Sequence, residues 1–144
     1  MTSITLLIAR FGLGIVFIAH GWQKLHTTGL AGVAAVYRRA GVPMPEIAAY
    51  YSTFAELIAG IALLLGAFTA VAGLLLFVNM FASLAIVHID KGVFVNQGGF
   101  ELVLALGIGA LLLAVIGAGA YSIDEFIGHR IGWAAALDPD VLVV

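Results

Sequence analysis

The sequence predicts an all-α membrane protein: an antiparallel four-helix transmembrane bundle with a short interfacial helix between spans one and two. The first observation is composition, since 63% of the 144 residues are hydrophobic, 10% are charged, and the mean hydropathy is +1.17. Soluble domains are about a quarter charged, so lipid must be the solvent for much of this chain. The second observation is that the apolar residues fall into four segments, each near the roughly 20 residues that cross a bilayer.

The four predicted spans lie at about residues 4–22, 46–66, 69–89 and 98–117. Each must be helical, because only a helix satisfies its own backbone within hydrocarbon. The first span is not typical of a signal peptide, since no Lys or Arg precedes it and Arg10 lies inside it. We therefore expect one domain, a bundle over residues 1–128, followed by a surface tail over residues 129–144.

The connections differ in length. Residues 29–39 carry an apolar face and predict the interfacial helix, which the following prolines end. The connection at 67–69 is so short that spans two and three must be antiparallel. After the fourth span, Ser122 or Asp124 is expected to cap a short helix at 125–131.

The distribution of Lys and Arg predicts a multi-pass protein with both termini outside the cytoplasm. With four spans, the first and third connections share one side of the membrane, and they hold Lys24, Arg38, Arg39 and Lys91. The opposite side holds Arg130 alone. Cytoplasmic connections carry the excess of basic residues, so the first and third connections are predicted to be cytoplasmic.

Two charged residues lie deep in the predicted spans. Measured from the side of the first and third connections, Glu56 lies roughly 15 Å deep and Arg10 roughly 20 Å. Because a lone charge in lipid costs several kcal/mol, the sequence predicts an Arg10–Glu56 pair, either a structural ion pair or a proton or ligand site. The residues that share a helix face with them are Gly14, Phe17, Gly21 and Lys24 on span one, and Ser52 and Gly60 on span two. Asn79 is expected to form a hydrogen bond between helices.

A second set of polar residues is predicted to gather at the surface of the first and third connections. Its members are His20, Lys24, His88, Lys91 and Glu101. Three interpretations stay open: a pocket for a quinone head group or small anion, anchoring of the loops at the interface, and a metal or haem site. Metal and haem are the least expected, because the histidines show no tight ligand spacing.

Charge and cysteine content exclude several function classes. The net charge is −2 and no basic run interleaves with aromatic residues, so a nucleic-acid partner is not expected. The chain has no cysteine, which excludes disulfides, thiolate metal sites and thiol chemistry by this chain itself. Redox work through a quinone, a metal or a partner protein is not excluded.

Several motifs, in order and at characteristic spacing, resemble those of the DoxX family over roughly residues 5–126. They are Arg10 to Leu25 with His20-Gly21-Trp22-Gln23-Lys24-Leu25, Gly41-Val42-Pro43, Glu56-Leu57-Ile58-Ala59-Gly60, His88 with Lys91-Gly92-Val93-Phe94, Asn96-Gln97-Gly98-Gly99-Phe100-Glu101, and Gly117 to Asp124 with Tyr121-Ser122-Ile123-Asp124. Ala120 departs from the pattern, which has Arg there, and this puts an anion contact at the closing turn in doubt.

The resemblance implies a four-helix integral protein of the prokaryotic inner membrane. Members of the family include the small subunit of a thiosulfate:quinone oxidoreductase and membrane components linked to thiol and oxidative-stress handling, and many have no known activity. The positions that the resemblance implies to be functional are Arg10, His20, Lys24, Glu56, His88 and Glu101.

Two hypotheses about function follow. In the first, the chain is the membrane subunit of a quinone-linked oxidoreductase: His20, Lys24 and Glu101 bind the quinone head group, Glu56 or His88 passes protons, and a redox partner protein supplies electrons. In the second, the chain is a non-catalytic scaffold or small-molecule carrier, and the Arg10–Glu56 pair is structural. Lipid is the expected surrounding in both, and association with further copies of the chain is compatible with either.

Overall fold

The computed structural model describes residues 2–131, and the regular structure of this part of the chain is helical, without strands. The helices are α1 (Ser3–Trp22), α2 (Leu30–Arg39), α3 (Pro45–Leu65), α4 (Thr69–Ser83), α5 (Glu101–Ile116) and α6 (Ile123–Ile131). The all-α prediction is therefore confirmed for residues 2–131. The predicted tail begins within α6, and its residues 132–144 lie outside the described part.

Three helical runs are long and apolar enough to cross a membrane, namely Ser3–Thr28, Pro45–Leu65 and Thr69–Lys91. The first continues α1 through a π-helical segment at Gln23–Thr28, and the third continues α4 through a second π-helical segment at Leu84–His88. These runs agree with the first three predicted spans. π-helical turns often accompany functional sites, and both lie at the same end of the molecule.

The fourth predicted span, 98–117, is helical only over Glu101–Ile116. Sixteen residues make a helix about 24 Å long, shorter than the roughly 30 Å of a hydrocarbon core. The helix starts late because Gly98 has a left-handed backbone (φ 80°) and a loop closes over Gly99. In that loop the Phe100 and Glu101 amides donate to the Gly92 and Val93 carbonyls, at 3.0 and 2.9 Å.

The four longer helices pack in a ring around one core. Helix α1 packs on α3, α3 on α4, α4 on α5, and α5 on α1, while α2 packs against α3. The core residues include Leu6, Phe17, Leu63, Leu76, Ala110 and Leu113. The outward faces are apolar and exposed, with Ile8 67% exposed on α1 and Ile58 66% exposed on α3. Lipid is the solvent that such outward faces require.

Glycines bring α1 and α3 into backbone contact. A Cβ atom on Gly14 would lie 2.9 Å from the Gly60 carbonyl oxygen, and one on Gly21 would lie 2.7 Å from Leu57 Cγ. Residues later in α1 thus face residues earlier in α3, so the two helices run antiparallel. This close approach sets the register between the polar side chains of the two helices.

Asp124 forms hydrogen bonds with the backbone at the turn between α3 and α4. Its carboxylate accepts from the Phe68 amide at 2.6 Å and the Thr69 amide at 2.8 Å, so it caps α4. Its own amide donates to the Gly66 carbonyl at 2.9 Å. The cap of α6 is Ser122, whose hydroxyl accepts from the Glu125 amide at 3.2 Å, as one of the two sequence alternatives predicted.

Candidate functional site

A buried ion pair between Lys24 and Glu56 forms the centre of the candidate site. Lys24 Nζ donates to Glu56 Oε1 at 2.7 Å, and the side chains are 22% and 2% exposed. Lys24 lies in the π-helical segment that follows α1, and Glu56 lies in the middle of α3. The pair therefore places opposite charges together where either one alone would be costly.

Three further side chains extend the pair into a hydrogen-bonded cluster. Lys24 Nζ also donates to Ser52 Oγ at 2.6 Å, and Ser52 Oγ shares a hydrogen bond of 2.8 Å with the Tyr37 hydroxyl. From α4, Asn79 Nδ2 donates to Glu56 Oε1 at 3.2 Å. We call Lys24, Glu56, Ser52, Tyr37 and Asn79 the Glu56 cluster, and it joins α2, α3 and α4 to the extension of α1.

One oxygen of the Glu56 carboxylate accepts no hydrogen bond from the described residues. Both of its donors reach Oε1, whereas Oε2 is buried without a hydrogen-bond partner within residues 2–131. Buried polar atoms usually have a partner. Among the described residues, Arg10 Nε, Thr53 Oγ1 and Thr69 Oγ1 share this lack of a partner, but none of them belongs to a carboxylate. Glu56 Oε2 is therefore the atom of the cluster that is suited to take up a proton or accept a donor from a ligand.

A pocket of about 80 Å³ lies against the cluster between α2, α3 and α4. The side chains with polar atoms in its lining are Tyr37, Tyr51, Ser52, Asn79 and Ser83. Its remaining walls are mainly aliphatic, with Ile86 and Val87 contributed by the π-helical segment after α4. The pocket thus reaches the hydroxyls and the amide of the cluster through an otherwise apolar space.

The predicted Arg10–Glu56 pair is wrong. Arg10 is 1% exposed, and it donates to main-chain carbonyls, through Nη1 to Leu63 at 3.4 Å and through Nη2 to Tyr121 at 2.5 Å. Helical side chains point toward the N-terminus of their own helix. Because α1 and α3 are antiparallel, Arg10 and Glu56 point away from each other, whereas Lys24 and Glu56 point toward each other.

The other predicted site residues form local hydrogen bonds. His20 Nδ1 donates to the Val16 carbonyl at 2.8 Å, and His88 Nδ1 donates to the Gly98 carbonyl at 2.6 Å. Glu101 Oε1 accepts from the Val95 amide at 2.7 Å, and Lys91 is exposed. Over residues 2–131, no hydrogen bond joins these four side chains to the Glu56 cluster, and no group of three or more His, Asp and Glu is placed to hold a metal ion. A shared surface site formed by them stays a prediction.

Tyr37 is the member of the cluster that the sequence did not single out. Ser52 was placed on the face of Glu56, and the hydrogen bond from Asn79 between helices is confirmed. Tyr37 lies on the packed face of α2 beside Val33 and Ala34. Its position on that face could have identified it from the sequence, because a tyrosine on a buried helix face needs a hydrogen-bond partner for its hydroxyl group.

Comparisons with known proteins place the chain in a family of membrane proteins. The model of the DoxX family matches residues 5–89, a stretch that includes Lys24, Glu56 and Asn79 but not Glu101. Two relatives from Escherichia coli (strain K12) are each 31% identical. Inner membrane protein YqjF aligns over 90% of this chain and 97% of its own length, and inner membrane protein YphA over 85% and 89%.

A relative with a different name comes from Bacillus subtilis (strain 168). The protein named "Putative oxidoreductase CatD" is 27% identical over 84% of this chain and 85% of its own length. No solved structure matches the chain. The names of the two Escherichia coli relatives thus support the membrane class of the chain, and the name of the Bacillus relative assigns redox chemistry to that protein.

Proposed function

Because this chain belongs to the DoxX family, we propose that it is the membrane subunit of a quinone-linked oxidoreductase of the inner membrane. The observation that carries the proposal is the Glu56 cluster, a buried ion pair with one carboxylate oxygen left without a partner. Buried ionisable groups in a membrane are costly and characteristically serve proton or ligand pathways. The name of the Bacillus relative supports the same class of function.

The proposal includes four membrane crossings, with α5 as the fourth, α2 at the interface and both termini outside the cytoplasm. The shortness of α5 is accommodated by a locally thinner bilayer or by polar loops in the headgroup region.

The absence of cysteine allows a direct test of this topology, because single cysteines can be labelled with a membrane-impermeant maleimide in intact spheroplasts. Labelling is expected at Ser3→Cys and Tyr121→Cys, and at Val95→Cys only after permeabilisation. Labelling of Tyr121→Cys only after permeabilisation would show that α5 does not cross.

When bound, a quinone would accept two electrons and two protons. A redox partner protein would supply the electrons. The ring does not fit the 80 Å³ pocket, since a cavity that holds benzene measures about 150 Å³. We therefore place the head group at the membrane surface, against the half-buried His20 and Glu101. Lys24, the third predicted ligand, contacts Glu56 and so links that surface to the buried carboxylate.

The chain's own residues then handle protons. Tyr37, Ser52, Lys24 and Glu56 form a continuous series of hydrogen bonds from α2 to the middle of α3. A proton taken up through this series is held at Glu56 Oε2, the carboxylate oxygen that has no hydrogen-bond partner. His88 is the alternative proton carrier, at the end of the π-helical segment beside the pocket.

Infrared difference spectroscopy tests the proposal. The protein is placed in nanodiscs with ubiquinone, and the quinone is reduced electrochemically. We expect a carbonyl-stretch change of a protonated carboxylic acid that disappears in Glu56→Gln. Glu46→Gln is the matched control, because Glu46 is exposed and paired with Arg38 at the surface. A spectrum without a carboxylic-acid change, or with one that survives in Glu56→Gln, would overturn the proposal.

A non-catalytic scaffold or small-molecule carrier is the second candidate function. It is favoured by the local hydrogen bonds of His20, His88 and Glu101, which anchor loops and helix ends rather than meeting at one ligand. On this alternative, quinone reduction changes no carboxyl band, and Glu56→Gln changes only the free energy of unfolding. The same spectra therefore discriminate between the two functions.

A further inference from the structure

The pocket beside Asn79 has properties that restrict what it can bind. We propose that it binds a small, neutral molecule of about three to five non-hydrogen atoms that carries both a hydrogen-bond donor and an acceptor. The inference rests on the same cluster as the proposed function, but it concerns the ligand rather than the redox chemistry. It follows from the size, the charge and the polar groups of the pocket.

Size sets the upper limit. The pocket measures about 80 Å³, roughly half of the 150 Å³ cavity that admits the six carbons of benzene. It is several times larger than the minimum of about 10–15 Å³ that one water molecule requires. A molecule of three to five heavy atoms fits this range, and an aromatic ring does not.

Charge excludes ions. Within the described chain no charged residue lines the pocket, and the nearest charges, those of Lys24 and Glu56, are paired with each other. An anion would approach the Glu56 carboxylate, whose ammonium partner is already engaged at 2.7 Å. A cation would approach Lys24. A neutral ligand avoids both costs, because no unpaired charge must be buried with it.

The polar groups require both a donor and an acceptor on the ligand. Asn79 is 6% exposed, its amide nitrogen donates to Glu56, and its amide oxygen accepts from no residue of the described chain. That oxygen is not itself fully buried, and Asn79 lines the pocket, so a ligand there can supply the donor. The hydroxyls of Ser83 and Tyr37 can in turn donate to an acceptor on the ligand.

Selective labelling gives a direct measurement. The chain has two asparagines, Asn79 in the pocket wall and the exposed Asn96, so protein labelled with ¹⁵N-asparagine reports on both. Acetamide is the probe, with acetate as its charged counterpart and benzamide as its larger one. We expect acetamide to shift the side-chain amide resonance of Asn79 saturably, with a dissociation constant of about 0.1–10 mM. The resonance of Asn96 should stay in place, and acetate and benzamide should bind at least tenfold more weakly.

Two variants separate the pocket from the general surface. Ala82→Leu fills the pocket and should weaken acetamide binding at least tenfold. Ala85→Leu adds the same bulk in the π-helical segment that follows α4, at a position that does not line the pocket, and should leave binding within twofold. If Ala82→Leu does not accumulate, Ser83→Ala replaces it, since it removes a pocket hydroxyl and adds no bulk. In Ser83→Ala too, binding is expected to weaken.

The outcomes distinguish this inference from the proposed function. No saturable shift of Asn79 with acetamide, or equal shifts with acetate or benzamide, overturns the ligand assignment. Acetamide binding together with a carboxyl band that survives in Glu56→Gln supports the ligand assignment and overturns only the redox proposal. If acetamide does not bind but the carboxyl band disappears in Glu56→Gln, only the ligand assignment is overturned.

Discussion

Two cations of the first helical run, the buried Arg10 and the half-buried Lys24, lie about 21 Å apart along one face and are paired in different ways. Arg10 donates to two main-chain carbonyls, those of Leu63 and Tyr121. Lys24 donates to two side chains, those of Ser52 and Glu56. A main-chain carbonyl neither takes up nor releases a proton under ordinary conditions, whereas a carboxylate can take one up and a hydroxyl can pass one on. The partners, rather than burial itself, separate a structural cation from one that belongs to a site of chemistry.

The surroundings differ in the same sense. Around Arg10 the chain is closed: a Cβ atom on Gly66 would lie 2.6 Å from Ser122 Cβ, and Asp124 binds the start of α4. Around Glu56 a pocket adjoins the cluster. Each end has one buried polar atom without a partner, but Arg10 Nε is a donor, whereas Glu56 Oε2 is an acceptor that can take up a proton. We therefore expect substitutions at the Arg10 end to act on stability alone, and neutralisation of the Glu56 carboxylate to act mainly on activity.

The largest expected effect is that of Arg10→Met. Loss of two hydrogen bonds from a charged donor should lower the free energy of unfolding by about 3–5 kcal/mol. Denaturant unfolding in detergent micelles, followed by circular dichroism, measures it. Arg39→Met is the control, because Arg39 is exposed and should change stability by less than about 0.5 kcal/mol. Adding Glu56→Gln should not restore Arg10→Met, and a restored stability would reinstate a direct Arg10–Glu56 pair.

The next effect concerns Lys24→Met, which leaves the buried Glu56 without its cation. We expect a loss of about 2–4 kcal/mol, of which the double variant Lys24→Met/Glu56→Leu should recover most, because an apolar pair replaces an ion pair at little cost. A double-mutant cycle on unfolding free energies measures the coupling. Simple additivity of the two single changes would contradict the ion pair.

Asp124→Ala should have a smaller effect, about 1–2 kcal/mol, because two amides at the start of α4 lose their cap. Asp90→Ala is the control, since Asp90 is exposed in the third connection. Thermal unfolding of the three proteins in the same detergent makes the comparison. Equal melting temperatures for Asp124→Ala and the parent protein would show that the Arg10 end is not closed by this contact.

The smallest effect on stability is expected for Glu56→Gln, below about 1 kcal/mol, because the amide oxygen can still accept from Lys24. The same variant should remove the redox-linked carboxyl band entirely. Unfolding and infrared measurements on one preparation test both statements. A stability loss as large as that of Arg10→Met would erase the contrast between the two ends and assign Glu56 a structural role.

Many features of the fold and of the candidate site could be predicted from the sequence alone. The length of the apolar segments indicated the helices to within a few residues. The 100° spacing placed Gly21, Gly14 and Arg10 on one face, and α1 buries all three. Ser52 and Glu56 were likewise placed on one face of α3, and both are buried there. The late start of α5 was not predictable, because it depends on a loop that closes over Gly99.

The sequence by itself determined the class of the protein, its family, the helices and the faces on which its buried charges lie, because hydropathy and helical period are properties of the chain alone. Only the tertiary structure decided which cation meets Glu56. That choice depends on the direction of side chains on two antiparallel helices and on the register set where Gly14 packs on Gly60. The partner of Arg10 at Tyr121 lies 111 residues away, and only the folded chain brings such positions together.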